Sequence, residues 1–378
     1  MKIAFVYDVL YPDTIGGVEK RIYEMGTRLA ERGHEVHLFP MMSGDEQVIN
    51  REGLIIHKVC DPIGLYTGDR RSVLQALWYS VHLFPTLLGV RVEIIDCQNF
   101  PYFPVLVARI VGFLRRETCI ITWHEFWGSY WYSYLGFFGV FGRVIEKIAI
   151  LLSNQCITVS QHTALRLGKT VGKQTSLVPN GITIADIEGF QNFGPPGEIL
   201  FAGRFIPEKH PELVVEAVRI IAEENPEVSC VMVGDGPKMA EIRALIKKYS
   251  LTRNIHLTGF LSSYEELIGR MKQARLFLLP SEREGFGIVC IEALACTIPI
   301  ITIDHPMNAA GDHVLKGCGY CAQPEAEDIA AGIRQCLSSP PDGPALLRMK
   351  EYAAAHDWDV LTTDLEAVYR SCLRKSVS

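Results

Sequence analysis

An excess of positive charge is missing from this chain. Its 37 Lys and Arg face 43 Asp and Glu, a net charge of -6, which argues against a nucleic-acid binder with its basic face. An apolar leader is missing too. Met1-Lys2-Ile3-Ala4-Phe5-Val6-Tyr7 is a short run that meets Asp8 at once, so no signal peptide and a cytoplasmic location are expected. The cysteines lack a pattern. All 11 are scattered singly, as buried thiols are in a reducing compartment, except Cys318-Gly319-Tyr320-Cys321. That pair has no second CxxC and no well-spaced histidines to complete a zinc site, so it reads as two thiols packed beside a strand. The dinucleotide spacing G-x-G-x-x-G is also absent after the first strand.

What is present describes an ordinary globular chain. Its 378 residues suffice for two domains, and 48% hydrophobic and 21% charged residues suit two cores. Strand-like and helix-like segments alternate. Residues 2–7 read as a buried strand, the loop 8–15 reaches Gly16-Gly17, and 18–32 has helical periodicity ending at Gly33. Residues 35–39, 54–57, 92–96, 119–123 and 155–160 read as further strands, the last closing the first domain. Residues 72–88 read as a helix that Pro85 must end or kink. Residues 186–197 have linker composition. A second series then begins with a strand at 199–203 and a helix opened by Pro211.

The most informative stretch is 281–292. It follows the apolar strand 276–280 and enters a helix-like segment, 288–296, closed by Pro299. Gly285 and Gly287 allow close approach of the backbone to a ligand, and a helix start offers free N–H groups and partial positive charge. That suits a phosphate. Glu284 and Glu292 would repel one, so they read instead as acceptors for hydroxyl groups. Hydroxyl, phosphate, hydroxyl describes a nucleotide-sugar; the plain alternative is a solvated acidic loop before an amphipathic helix. Arg204 and Lys209, beside the helix start at Pro211, suit an anion clamp rather than two idle surface cations. His124 follows a parallel strand and so faces a ligand crevice, or is a satisfied strand-end histidine. Residues 126–142 carry no charge and are rich in Trp, Tyr, Phe and Gly. They suit an acceptor-pocket wall or core more than an interfacial patch. At most a weak peripheral membrane contact is expected, at the inner face, because the net charge of -6 opposes it.

Glu284-x7-Glu292, with Gly285-Phe286-Gly287 between, resembles the E-x7-E motif of retaining GT-B glycosyltransferases of family four. The resemblance runs from Gly16 to Trp358 and carries expectations with it. It implies an α/β fold of two doubly wound, Rossmann-like parallel-sheet domains facing across a cleft. The domains would be 1–185 on the acceptor side and 186–357 on the nucleotide-sugar side, with a C-terminal helix, 358–376, packing back on the first. Pro179-Asn180-Gly181 matches the family's interdomain crossing. Glu284 would face the donor hexose and Glu292 the ribose; His124 would contact the transferred sugar. Gly203-Arg204-x4-Lys209-His210 matches the diphosphate signature, and Gly16-Gly17 a turn facing donor phosphate and acceptor. Gly234 would lie under the nucleotide and Gly259-Phe260 near the base. Residues 304–313 depart from the family's glycine-rich pattern, so nothing is assigned there. Asp357-Trp358-Asp359 spells a D-x-D, but it follows helices rather than a strand. The implied activity is therefore metal-independent and cofactor-free. It transfers a hexosyl group from a UDP- or GDP-sugar to a glycan or lipid-linked acceptor. A nucleotide-sugar 2-epimerase of the same fold, or a non-catalytic sensor, is the alternative.

Overall fold

The computed structural model describes every residue except 15, 65, 68, 69, 154, 173, 174, 195, 196 and 378, and of 66, 67, 70, 171 and 375–377 the backbone alone. Ile15 of the first loop and Pro195 and Pro196 of the expected linker lie outside the described residues. Two compact units form: Met1–Asn180 with Trp358–Ser378, and Gly181–Asp357.

In the first unit, short apolar runs give β1 (Lys2–Val6), β2 (Glu35–Leu38), β3 (Val48–Arg51), β4 (Leu54–His57), β5 (Tyr66–Thr67), β6 (Arg70–Arg71), β7 (Ile94–Gln98), β8 (Thr118–Trp123), β9 (Gln155–Thr158) and β10 (Ser176–Leu177). Eight of them make one sheet in the order β10-β9-β8-β7-β1-β2-β4-β3, and β5 with β6 makes a small hairpin. All neighbours in the large sheet run parallel except β3, which returns antiparallel to β4. That edge strand is not expected from the sequence. Its turn is Glu52-Gly53, both at positive φ (50° and 79°), a hairpin geometry reached here without the usual Asn-Gly. Residues 155–160 do not close the domain either, since β10 pairs outside β9.

The connections are α1 (Gly17–Glu31), α2 (Val73–Gly89), α3 (Phe103–Arg115), α4 (Tyr130–Leu135), α5 (Gly139–Leu152) and α6 (Gln161–Val171). Pro85 does not end α2. It sits on the exposed side, one turn after exposed Val81, so the carbonyl it leaves unbonded faces water.

In the second unit, α7 (Ile184–Gly189) occupies part of the expected linker, its N-terminal N–H at Ile184 donating to Asp357 Oδ2 at 3.1 Å. Strands β11 (Gly197–Ala202), β12 (Cys230–Val233), β13 (Ile255–Gly259), β14 (Ala274–Leu279), β16 (Ile300–Ile303) and β18 (Gly319–Ala322) form a parallel sheet in the order β13-β12-β11-β14-β16-β18. Two short strands, β15 (Arg283–Glu284) and β17 (Met307–Asn308), pair beside it. Helices α8 (Pro211–Glu224), α9 (Met239–Lys248), α10 (Tyr264–Met271), α11 (Ile288–Ala295), α12 (Ala326–Ser338) and α13 (Gly343–Ala354) complete the unit.

Each sheet reverses its strand order once, between β1 and β7 in the first unit and between β11 and β14 in the second. Loops leaving the C-terminal ends of such strand pairs diverge to opposite faces and open a crevice. Helix α14 (Trp358–Val377) belongs to the first unit. Its Trp358, Leu361, Leu365, Tyr369 and Cys372 recur at helical spacing and join Ile3, Phe5 and Met25 in one buried cluster. Arg28 Nε of α1 donates to Asp359 Oδ1 at 2.8 Å beside it.

Trp358 is wholly buried in that cluster. Trp358→Ala should therefore destabilise the first unit by about 3–5 kcal/mol, the usual cost of an aromatic-sized core deletion. Denaturant unfolding followed by circular dichroism checks this, and an unchanged midpoint would refute the packing.

Candidate active site

The second unit's crevice is built from two loops far apart in sequence. One runs from the end of β11 through Arg204 to the single 3-10 turn Pro207–Lys209; the other runs from β14 through β15 to α11. They are stitched together. Glu282 N–H donates to Glu208 O at 2.9 Å, Arg283 Nη2 lies 3.7 Å from Glu208 Oε1, and Lys209 Nζ makes a short ion pair with Glu284 Oε1. His210, at positive φ (45°), caps the start of α8 and bridges Glu212 at 2.9 Å and Glu282 at 3.3 Å. So the structure joins Lys209 directly to Glu284, while Arg204 stands exposed at the mouth of the same loop.

A third segment supports the second loop, and it is the one left unassigned in the sequence. Strand β17 pairs with β15 so that Asn308 stands opposite Glu284. Buried Asn308 donates to Thr302 Oγ1 (3.0 Å) and Ile303 O (2.8 Å) and accepts from the Ala310 N–H at 3.0 Å. His313 Nε2 lies 2.7 Å from the Phe286 carbonyl, and a carbonyl only accepts, so Nε2 carries the proton. Its Nδ1 then accepts from the Tyr352 hydroxyl at 3.1 Å. Gly287, at φ 86°, begins α11, and a Cβ there would stand 3.2 Å from that of Ala310. These contacts fix the Gly285-Phe286-Gly287 backbone against the helix start, with Phe286 itself buried. Glu292 is buried one face further along α11, near the Tyr264 phenol, whose pKa burial and this carboxylate push far up.

The remaining second-unit residues divide by role. A Cβ on Gly234 would lie 1.9 Å from Gly203 O, so that glycine is required where two loop backbones touch. Gly259, at φ 73°, turns the chain beside it and accepts the Gly234 N–H at 2.9 Å, and Phe260 projects into solvent, 72% exposed.

In the first unit, His124 follows β8 and meets the end of β7. Its backbone N–H donates to Asn99 Oδ1 (3.0 Å), and its Nε2 lies 2.7 Å from Gln98 Oε1. The amide of Gln98 is itself oriented, because its Nε2 donates to buried Asp96 Oδ1 at 3.2 Å. Thr122 Oγ1 and the Tyr369 hydroxyl also donate to Asp96, each at 2.6 Å. The carboxylate thereby sets Gln98, and Gln98 sets the His124 tautomer with its proton on Nε2. Burial, then the Arg21 charge, hold the His124 pKa down to about 3, so the ring is neutral. Arg21, almost wholly buried, donates to Pro179 O and to Asn180 Oδ1 (3.1 Å), anchoring the end of the unit.

The Gly16-Gly17 turn differs from expectation in what faces it. The carboxylate of Glu19 folds back over Gly16, within 3 Å of where a Cβ would stand, so the start of α1 already has an anion of its own. Nearby, Asp8 is buried under Arg71 Nη2, at 2.8 and 2.7 Å from its two oxygens, and Gln75 Nε2 at 2.9 Å. Beside Asp8 a groove of about 630 Å³ opens, lined by Leu10, Asp13, Met41, Ser43 and Arg51 among others.

Two family models divide the chain between them. "Glycosyltransferase Family 4" matches residues 15–186 and "Glycosyl transferases group 1" matches 185–356. The chain belongs to the group 1 glycosyltransferases. Among curated relatives, an uncharacterized glycosyltransferase of Methanocaldococcus jannaschii is 30% identical over 178 residues, spanning 47% of each chain. The GDP-mannose-dependent alpha-(1-6)-phosphatidylinositol dimannoside mannosyltransferase of Mycobacterium tuberculosis is 25% identical over 87% of this chain and 86% of its own. Sucrose-phosphate synthase from Thermosynechococcus elongatus is similar in structure, with a TM-score of 0.78 and 20% identity over 99% of both chains. That likeness is one of fold: GT-B, with Rossmann-like domains.

For this group 1 glycosyltransferase the D-x-D is two unrelated contacts, Asp357 on Ile184 N–H and Asp359 on Arg28. Cys318 is buried and donates toward Ala345 O at 3.4 Å, whereas Cys321 is exposed. Among the described residues no His, Cys, Asp and Glu cluster is arranged to hold a metal ion. Asp96, Gln98, Tyr369, Asn308 and His313 carry no motif, and only their contacts reveal them. The one readable hint was a buried strand, Ile94–Gln98, ending in polar residues.

His313 is also held neutral, its pKa brought down to about 3 chiefly by burial. An unfolded histidine titrates near 6.5, so below that pH the unfolded chain binds the extra protons. Stability should be full above pH 6.5 and decline as pH falls toward 3, by about 1.4 kcal/mol per pH unit for His313 alone. NMR titration should find the His124 and His313 rings unprotonated at pH 5; a midpoint near 6.5 would refute the burial of His313, or the desolvation of the half-buried His124 ring.

Proposed function

We propose that this protein is a retaining, metal-independent hexosyltransferase that uses a UDP- or GDP-sugar and a glycan or lipid-linked acceptor. The observation that carries the reading is the Lys209–Glu284 pair at the switch point of a parallel sheet, beside the glycine-opened start of α11. A cation, a carboxylate and helix-start N–H groups meet there, and together they match the anionic and hydroxyl parts of one nucleotide-sugar. The 25% identical relative whose name specifies GDP-mannose and a phosphatidylinositol-based acceptor supports the donor class and a lipid-linked acceptor.

On this reading Lys209 exchanges its carboxylate partner for the donor diphosphate, joined by Arg204 and the backbone at Gly285 and Gly287. Glu284 is released to accept from a sugar hydroxyl. Glu292, deeper on α11, accepts from the ribose; Gly234, Gly259 and Phe260 shape the nucleoside end, while buried Phe286 holds the loop between the two glutamates in place. Gly16 and Gly17 reach a donor phosphate only if the Glu19 carboxylate that covers Gly16 swings away, and the groove beside Asp8 takes the acceptor. His124, neutral and tautomerically fixed, presents its ring to the sugar. The bond from the anomeric carbon to the phosphate oxygen breaks while the acceptor oxygen bonds to that carbon on the same face. The acceptor proton passes to the departing phosphate, so the products are the glycoside and the nucleoside diphosphate. No enzyme nucleophile takes part. The positive charge on Lys209 and Arg204 stabilises the leaving group where other enzymes use a divalent ion.

Thermal shift against UDP- and GDP-sugars selects the donor, since a ligand of the native state raises Tm. With that donor, Glu284→Gln should chiefly lower kcat, by about tenfold or more, because its carboxylate faces charge that develops on the sugar. Glu292→Gln should chiefly raise donor KM, and His124→Ala should resemble Glu284→Gln. Full kcat in Glu284→Gln would overturn the assignment of this crevice.

Turnover should also survive excess EDTA. Activity lost to chelator and restored by Mg²⁺ or Mn²⁺ would overturn the metal-free reading. Donor incubated alone should keep its sugar configuration; an epimerised product would make the protein an epimerase.

A further inference from the structure

Lys209 sits between two residues that both bond to Glu282 of the facing loop. Glu208 O accepts the Glu282 backbone N–H at 2.9 Å, and His210 Nε2 lies 3.3 Å from the Glu282 carboxylate. The other ring nitrogen, Nδ1, lies 2.9 Å from Glu212 Oε1 in the first turn of α8. An ionised carboxylate only accepts, so both nitrogens donate and the ring is an imidazolium. Glu212 is ionised: burial would raise its pKa, but the bonds from His210 and Lys238 bring it down to about 2. The His210 backbone is itself left-handed, at φ 45° and ψ 51°, a conformation that glycine adopts more readily. A side chain persists there only when its surroundings hold it.

The charges along this seam show why that proton matters. Three carboxylates each have a permanent cation: Glu284 has Lys209, Glu212 has Lys238 at 2.7 Å, and Glu208 has Arg283 at 3.7 Å. Glu282, among the described residues, is faced by histidines alone. His305 is the more distant of the two, its Nε2 3.6 Å from Glu282 Oε1 and its Nδ1 2.8 Å from the Glu282 carbonyl. At the start of α9, Lys238 also lies 3.8 Å from Glu241, and Asp235 turns onto the Gly236 N–H at 2.6 Å. A neutral His210 has one N–H and cannot donate to both carboxylates. One contact between the loops is then lost, and the seam gains a unit of negative charge beside Glu284. A diphosphate approaching Lys209 meets a looser loop and a more repulsive one.

Given the proposed use of Lys209 by the donor diphosphate, we infer that protonated His210 is a positioning residue, clamping the Lys209 loop to Glu282 so that donor affinity falls as pH rises. The pH dependence is opposite in sign to that of His124 and His313. Contact with Glu212, against burial, and then contact with Glu282 raise the His210 pKa above its usual value near 6.5. The clamp is complete below pH 6.5 and is lost as pH rises through the raised value.

Calorimetric titration with UDP and with GDP, from about pH 6.5 to 9, tests this on native protein, His210→Gly and His210→Lys. Glycine takes the backbone conformation without strain and lacks the ring, whereas lysine keeps a permanent cation. At about pH 6.5 the native protein should bind the preferred nucleotide about tenfold tighter than His210→Gly, the scale of one charge-assisted hydrogen bond. By about pH 9 the two should bind alike, while His210→Lys keeps a constant advantage over His210→Gly. The ratio at each pH cancels the nucleotide's own ionisation. A native-to-Gly ratio that does not change with pH would overturn the inference and leave the crevice reading in place. Binding of neither nucleotide at any pH would overturn that reading, and the inference with it. NMR titration of the ligand-free native protein is independent of both: a His210 midpoint at or below about 6.5 would refute the clamp even where nucleotide binds. Circular dichroism should show both variants folded.

Discussion

Parallel pairing of β11 with β14 is the constraint on which the second unit's chemistry depends. Ile199 stands beside Leu276 and Leu200 beside Phe277, so two loops more than 70 residues apart leave the sheet at neighbouring points. Each loop brings a charge that would be poorly hydrated alone. Lys209 and Glu284 are both largely sheltered, and each neutralises the other. A half-buried pair of this kind is costly to break by removing one partner, because the survivor is left uncompensated. An anionic ligand that takes the ammonium, while offering hydroxyls to the carboxylate, can break it without that penalty. The pair thus ties the two loops together with its charges mutually neutralised.

The first unit solves a related problem with a buried carboxylate. Asp96 lies inside the sheet layer, where burial pushes its pKa up, and donors from Thr122, Gln98 and Tyr369 offset that. Because a carboxylate accepts from all three, the amide of Gln98 has one orientation and His124 one tautomer. The hydroxyl that completes the set comes from α14, about 270 residues downstream. The C-terminal helix is therefore more than a cover for the apolar cluster. His313 performs the equivalent task in the second unit, holding the Phe286 carbonyl with a ring kept neutral by burial.

The helices on one side of the first sheet follow a different logic from the core. In α5 the buried positions are small residues, one satisfied acid and a single large apolar side chain, Gly139, Gly142, Ala149, Glu146 and Ile150, while the outward ones include Phe141, Val144 and Ile148. Hydrophobicity on this helix does not mark the inside. An apolar run in the sequence cannot say which of its residues are buried and which exposed; only knowing which side meets the sheet separates them.

The alternation of strand-like and helix-like segments, the glycines at loop starts and the E-x7-E, Gly-Arg-x4-Lys and His124 positions were legible in the sequence, because they rest on local spacing. Parallel buried strands announce themselves as short apolar runs, and helix starts as glycine or proline. What tertiary structure alone decided is everything that depends on strand order. It paired Lys209 with Glu284, brought β17 beside β15 so that the unassigned stretch 304–313 supports the Phe286 loop, and carried Tyr369 to Asp96. It also found the β3 edge strand through a Glu-Gly turn, placed Glu19 over Gly16, and turned Phe137 outward and Trp131 inward. The physical reason is common to all of these. A side chain's partner is fixed by which strands lie adjacent, and that order follows from the summed burial of whole faces rather than from the residues at either end of a contact.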